Sequence, residues 1–195
     1  MRISLWSLSA PEQRRHRELA RELLRRAVFQ RAGRDMPIVH ELGRAPLVDG
    51  LAVSLSRTVD VAMCVASAHG PVGVDVERLR PWEELADIAP LISETPPLDA
   101  RDLLTLWTRK EALAKAMGVG LPDDVRAMDV PLGPLDPGQW RRRDGWLWIG
   151  CPCEDDCVVS LVIGQKGPDG QGPCDVVELE FDEAGTRVWS IQVRS

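Results

Sequence analysis

Val72-Gly73-Val74-Asp75-Val76-Glu77 alternates apolar and polar positions, and reading it as a strand sets the fold class. Side chains two apart on a strand point the same way, so Val72, Val74 and Val76 are predicted to face a core, with Gly73, Asp75 and Glu77 outward. Two carboxylates side by side repel each other, and a cation relieves that repulsion. The ordinary alternative is a solvated strand face.

Upstream of this stretch, Leu51, Val53 and Leu55 share one face of a strand over 51–56, and 59–67 reads as a more fully buried strand. The turn Ala68-His69-Gly70-Pro71 then predicts a three-strand antiparallel meander ending in Val72–Glu77. Closer to the N-terminus, residues 3–8 alternate as a strand, and Ser9 with Glu12 forms a capping box that opens a helix. Leu19, Leu23, Leu24, Ala27 and Val28 give that helix an apolar stripe, arginines fill its other face, and Gly33 ends it.

Downstream, 82–91 reads as a short helix broken by Pro90, and Asp99 caps a longer one that runs to Met117 and stops at Gly118 and Gly120. Four strands follow, over 146–150, 158–164, 176–181 and 187–193, with a Gly- and Pro-rich loop at 165–175. There is no regular β-α-β alternation, so the expected class is α+β, in two halves divided as 1–82 and 83–195.

The 195 residues can bury a substantial core, and 44% apolar content with seven tryptophans argues against disorder. The net charge of −6 disfavours a generally basic nucleic-acid binder. That total conceals an asymmetry: residues 1–44 hold ten arginines against five acids, and the rest is strongly acidic. Such a division suits an anionic ligand or an acidic partner, or a solvated arginine face. Five cysteines, an odd number, and the lack of a secretory pattern predict cytoplasmic thiols. No segment approaches the roughly 20 apolar residues of a membrane span.

Only three lysines occur, and two of them, Lys110 and Lys115, fall in Trp107-Thr108-Arg109-Lys110-Glu111-Ala112-Leu113-Ala114-Lys115. Helical spacing places Thr108, Glu111 and Lys115 along one face. Taken alone, Glu111 and Lys115 have the orientation of a surface i,i+4 ion pair.

The two segments together resemble a family signature. V-G-[VI]-D-[VI]-E followed by W-[ST]-x-K-E-A-x-x-K and then G-x-G-L, here Gly118-Val119-Gly120-Leu121, is similar to the 4′-phosphopantetheinyl transferases. Gly43-Arg44-Ala45-Pro46-Leu47 resembles the family's G-[KR]-P-x-L loop with one residue inserted, and Ala52-Val53-Ser54-Leu55-Ser56 lies where the family has N-[IV]-S-H-S. The length is closer to the monomeric surfactin-synthetase-activating type. For that type the resemblance implies two similar subdomains with antiparallel sheets, packed as a pseudo-dimer with the active site at their interface.

It further implies transfer of the 4′-phosphopantetheine arm from coenzyme A to a serine of an apo acyl or peptidyl carrier protein, with release of 3′,5′-ADP. Asp75, Glu77 and Glu111 are the implied ligands of Mg2+, a cation that takes oxygen donors and keeps some waters. Glu111 is implied as the group that accepts the serine proton, and Lys115 as the group that stabilises the leaving phosphate. Lys110 is implied against the pyrophosphate, with Arg44, Ser54 and Ser56 at the nucleotide end. One departure stands out: Leu55 replaces a histidine and can neither donate a hydrogen bond nor carry charge. It motivates an alternative, a family member that binds coenzyme A or a carrier protein without efficient turnover. A third reading is a metal-dependent phosphoesterase on the same carboxylates. Cys151, Cys153, Cys157 and Cys174 invite a zinc reading, although C-x-C-x3-C is not the usual pairing and free thiols are the simpler expectation.

Overall fold

The computed structural model describes residues 2–9, 13–40, 45–58, 61–68, 70–95, 99–137, 139–151, 156–164, 174–181 and 187–193. The chain forms β1 (Arg2–Ser9), α1 (Gln13–Ala32), β2 (Ala52–Arg57), β3 (Val61–Ser67) and β4 (Val72–Arg78), then the single turns α2 (Trp82–Leu85) and α3 (Ala89–Ile92). It continues through α4 (Ala100–Met117), a 3-10 turn at Val125–Ala127, β5 (Trp140–Arg143), β6 (Trp146–Gly150), β7 (Cys157–Gly164), β8 (Cys174–Phe181) and β9 (Arg187–Val193).

These strands build two antiparallel sheets, ordered β2-β3-β1-β9-β8 and β4-β7-β6-β5, so the α+β expectation holds. β3 is apolar along its length because both of its faces are covered. Ala62, Cys64 and Ala66 pack with Leu23, Leu24, Ala27 and Val28 of α1. Val61, Met63 and Val65 pack with Val72, Val74 and Val76 of β4 and with Leu147, Ile149, Leu161 and Ile163 of β6 and β7. The second sheet's other face carries Trp148 and Val162 against Ala112, Leu113 and Ala116 of α4. Two helices thus cover the outer faces of two sheets that share one apolar core.

The meander is corrected: β4 leaves β3 and pairs with β7 instead, with Asp75 opposite Ser160. Pro71 has no N–H to extend a β3 ladder, while its carbonyl accepts the Gly164 N–H at 2.8 Å and directs the chain to the second sheet. The strands do not sort at residue 82, since β4 lies in the second sheet and β8 and β9 return to the first. The helix expected over 82–91 is two separate turns, and Pro90 sits in the first turn of α3, where a missing N–H costs nothing.

Asp99 caps α4 as expected, its carboxylate accepting the Asp102 N–H at 2.8 Å, and Gly118 ends the helix at φ 71°. Glu12 of the capping box and residues 165–173 lie outside the described residues. β5 has no apolar alternation, so periodicity does not predict it. Its signal is the Asp144-Gly145 turn, with φ of 48° and 77°, which joins it to β6. No helix among the described residues is long and apolar enough to cross a membrane.

Candidate active site

Gly73 explains how the site is assembled. A Cβ built there would lie 1.9 Å from the Ala112 carbonyl oxygen, so α4 approaches β4 more closely than any side chain permits. Ala112 and Ala116 complete this contact on the helix side. The face of β4 expected to point outward is therefore roofed by α4, and Asp75 is only 5% exposed.

Lys115 Nζ donates to Asp75 Oδ1 at 2.6 Å and lies 3.4 Å from the Val74 carbonyl oxygen. The ammonium thus pairs across to the strand rather than with Glu111 in a surface i,i+4 bridge. Ser56 Oγ donates to the same Asp75 oxygen at 2.7 Å, whereas Asp75 Oδ2 is buried with no hydrogen-bond partner. Burial pushes the Asp75 carboxyl above its usual range against the opposing pull of Lys115 and Ser56. Glu77 is also raised, by burial and then by the charge of Asp75, although Arg80 and a hydrogen bond with Trp107 oppose this. In Glu111 burial again leads, followed by Asp75, with Lys115 opposing and Glu77 adding to the rise. The three carboxylates therefore share one electrostatic neighbourhood.

Thr108 and Ser160 share a hydrogen bond of 2.8 Å, both buried, and so fix α4 to β7 directly across from Asp75. Thr108 thereby holds the helix that carries Glu111 and Lys115.

Other expected site residues are placed elsewhere. Lys110 points away from the carboxylates and donates to the carbonyls of Ile92 at 2.7 Å, Val125 at 2.9 Å and Arg126 at 3.2 Å. Its ammonium ties α3 and the 3-10 turn to α4, so its pyrophosphate role is corrected to a structural clamp. Arg109 similarly holds the carbonyls of Pro131 and Gly133, and burial lowers its guanidinium to about 10.

Ser54 and Ser56 are both buried on β2, and their hydroxyls accept the N–H groups of Val74 at 3.1 Å and Val76 at 3.3 Å. They form a seam between the two sheets, and burial removes them from the nucleotide end. Leu55 packs against the α1 cluster. Arg44 lies outside the described residues.

A cavity of about 430 Å³ is bordered by Arg101, Thr105, Arg109, Leu135, Trp148 and Ser160. None of Asp75, Glu77, Glu111 or Lys115 lines it. The chemistry of the carboxylate cluster, rather than cavity size, marks the candidate centre.

Among the described residues, no three histidine, cysteine, aspartate or glutamate side chains already converge as a metal cage. Cys64 is a free thiol, and burial raises it strongly. Cys153 lies outside the described residues. Mg2+ does not need a protein cage: one or two carboxylates with phosphate oxygens and waters suffice. The unpaired Asp75 Oδ2 and its two neighbouring carboxylates fit such a cation.

The family model of the 4′-phosphopantetheinyl transferase superfamily matches residues 71–148, a span from the start of β4 through α4 to β6. Over that span the chain is similar to this superfamily. It is 26% identical over 179 residues to the 4′-phosphopantetheinyl transferase HetI of Nostoc sp. (strain PCC 7120 / SAG 25.82 / UTEX 2576), an alignment covering 80% of this chain and 74% of that protein. Both likenesses support 4′-phosphopantetheinyl transfer in general, an activity that implies coenzyme A and a carrier protein as partners.

Proposed function

We propose that the chain moves the 4′-phosphopantetheine arm of coenzyme A onto a serine of an apo acyl or peptidyl carrier protein in a Mg2+-dependent reaction that releases 3′,5′-ADP. The observation that carries the metal assignment is the buried, unpaired Asp75 Oδ2 beside Glu77 and Glu111. Asp75, Glu77 and Glu111 would hold the cation, which when bound offsets phosphate charge and polarises the phosphorus under attack.

Glu111 accepts the proton of the attacking serine. Burial and two neighbouring carboxylates raise its basicity toward what a general base needs. Lys115 has three donor hydrogens, and donation to Asp75 and Val74 leaves one for an oxygen of the departing phosphate. Arg44 is assigned to the nucleotide end, where a guanidinium suits a phosphate. We further assign the chain to the monomeric, surfactin-synthetase-activating type, acting in the cytoplasm, with the two helix-covered sheets as the halves of a pseudo-dimer.

A carrier protein incubated with the chain, coenzyme A and Mg2+ is expected to gain roughly 340 Da by mass spectrometry, the mass of the covalently transferred group. Glu111→Ala is expected to slow this gain by about 10²–10⁴-fold, the usual contribution of a general base. No gain with several carrier proteins, with Mn2+ also tried, would reject the proposal. Leu55 in its apolar setting motivates the second reading, a binder without efficient turnover. Coenzyme A binding without any mass gain would favour that reading.

A further inference from the structure

Ser56 makes two hydrogen bonds that together fix where its single proton lies. Its oxygen accepts the Val76 N–H at 3.3 Å, and it is also 2.7 Å from Asp75 Oδ1. A backbone N–H can only donate and a carboxylate can only accept, so the Ser56 proton points at Asp75. Lys115 donates to the same oxygen at 2.6 Å. Two donors therefore converge on Oδ1, and Oδ2 is left buried without a partner. Ser54 provides the comparison, because it accepts the Val74 N–H across the same seam.

We infer that Ser56, reaching across from the first sheet, is a positioning residue that locks the rotation of the Asp75 carboxylate and thereby presents Oδ2 to the divalent cation. This rests on the cation reading of the site proposed above. Ser56 touches no reacting atom; it acts through Asp75, as a partner that orients a metal-ligating carboxylate. The seam between the sheets and the cation site are then coupled through one hydroxyl.

The test is Mn2+ binding, followed by electron paramagnetic resonance with and without coenzyme A, on the whole chain. Ser56→Ala is expected to weaken Mn2+ binding by about 10-fold, the lower end for loss of such an orienting partner. Ser56→Thr keeps the hydroxyl and is expected to retain binding. Ser56→Cys, a poorer donor of similar size, is run alongside so that the comparison survives if the alanine variant does not fold. Ser54→Ala removes one seam hydrogen bond as well and is expected to lower the melting temperature about as much as Ser56→Ala, while leaving Mn2+ affinity near wild type.

Equal Mn2+ affinity in Ser56→Ala and wild type overturns the inference and leaves the cation site standing. Equal weakening by Ser54→Ala also overturns it, since the effect then belongs to the seam in general. Failure of the wild-type chain itself to bind Mn2+ overturns both this inference and the cation reading.

Discussion

The two long helices meet their sheets in the same manner yet have opposite polar faces. α1 buries Leu23, Leu24, Ala27 and Val28, while Arg25 and Arg26 pair at the surface with Glu22 of the same helix. α4 buries Leu103, Leu104, Ala112 and Leu113, but part of its charged face turns toward β4, where Lys115 meets a buried carboxylate. Charge alone does not distinguish these helices. The difference is the strand beneath each, because β4 carries Gly73 at the crossing and Asp75 two residues on.

The largest expected effect comes from making the crossings alike. Gly73→Ala puts a Cβ against the Ala112 carbonyl and must push α4 away. A loss of about 3 kcal/mol is expected in denaturant unfolding, at the upper end for overpacking, together with a fall in transfer rate. Unchanged stability and rate would mean that the close approach has no role in assembling the site.

A smaller effect is expected at Lys110, whose ammonium satisfies three carbonyls. Lys110→Met is expected to cost about 2 kcal/mol by leaving buried acceptors unpaired. If stability holds while the KM for coenzyme A rises, Lys110 contacts substrate after all. The smallest effect belongs to α1: Glu22→Ala breaks exposed pairs with Arg25 and Arg26 and is expected to cost under about 0.5 kcal/mol. A loss comparable to that of Gly73→Ala would erase the contrast between the two helices.

Much of this was legible in the sequence wherever local rules decide. Period-two alternation located β2 and β4, an unbroken apolar run located β3, and Asp99 with Gly118 bounded α4. The partner of β4 was not legible, because strand pairing is non-local and the redirecting contact joins Pro71 to Gly164, far apart in the sequence. Nor was the burial of Asp75, since a polar strand face looks solvated until Gly73, Ala112 and Ala116 are seen to bring a helix over it.

Lys110 and Lys115 fall within one motif, and the resemblance implies a phosphate contact for each. At about 100° per residue they lie some 140° apart around the helix, and only one of them can face β4. The seam did leave a signal: with Leu51, Val53 and Leu55 directed at α1, Ser54 and Ser56 had to face the other way, toward the second sheet.

The central claim is that Asp75 Oδ2, Glu77 and Glu111 receive a divalent cation. Crystals grown with Mn2+ and coenzyme A, measured at a wavelength where manganese scatters anomalously, test it most directly. The expected result is a single strong peak about 2.1 Å from Asp75 Oδ2, bordered by a carboxylate of Glu77 or Glu111 and by the pyrophosphate. A peak elsewhere, such as in the cavity beside Arg109, or coenzyme A bound with no peak at Asp75, would contradict it.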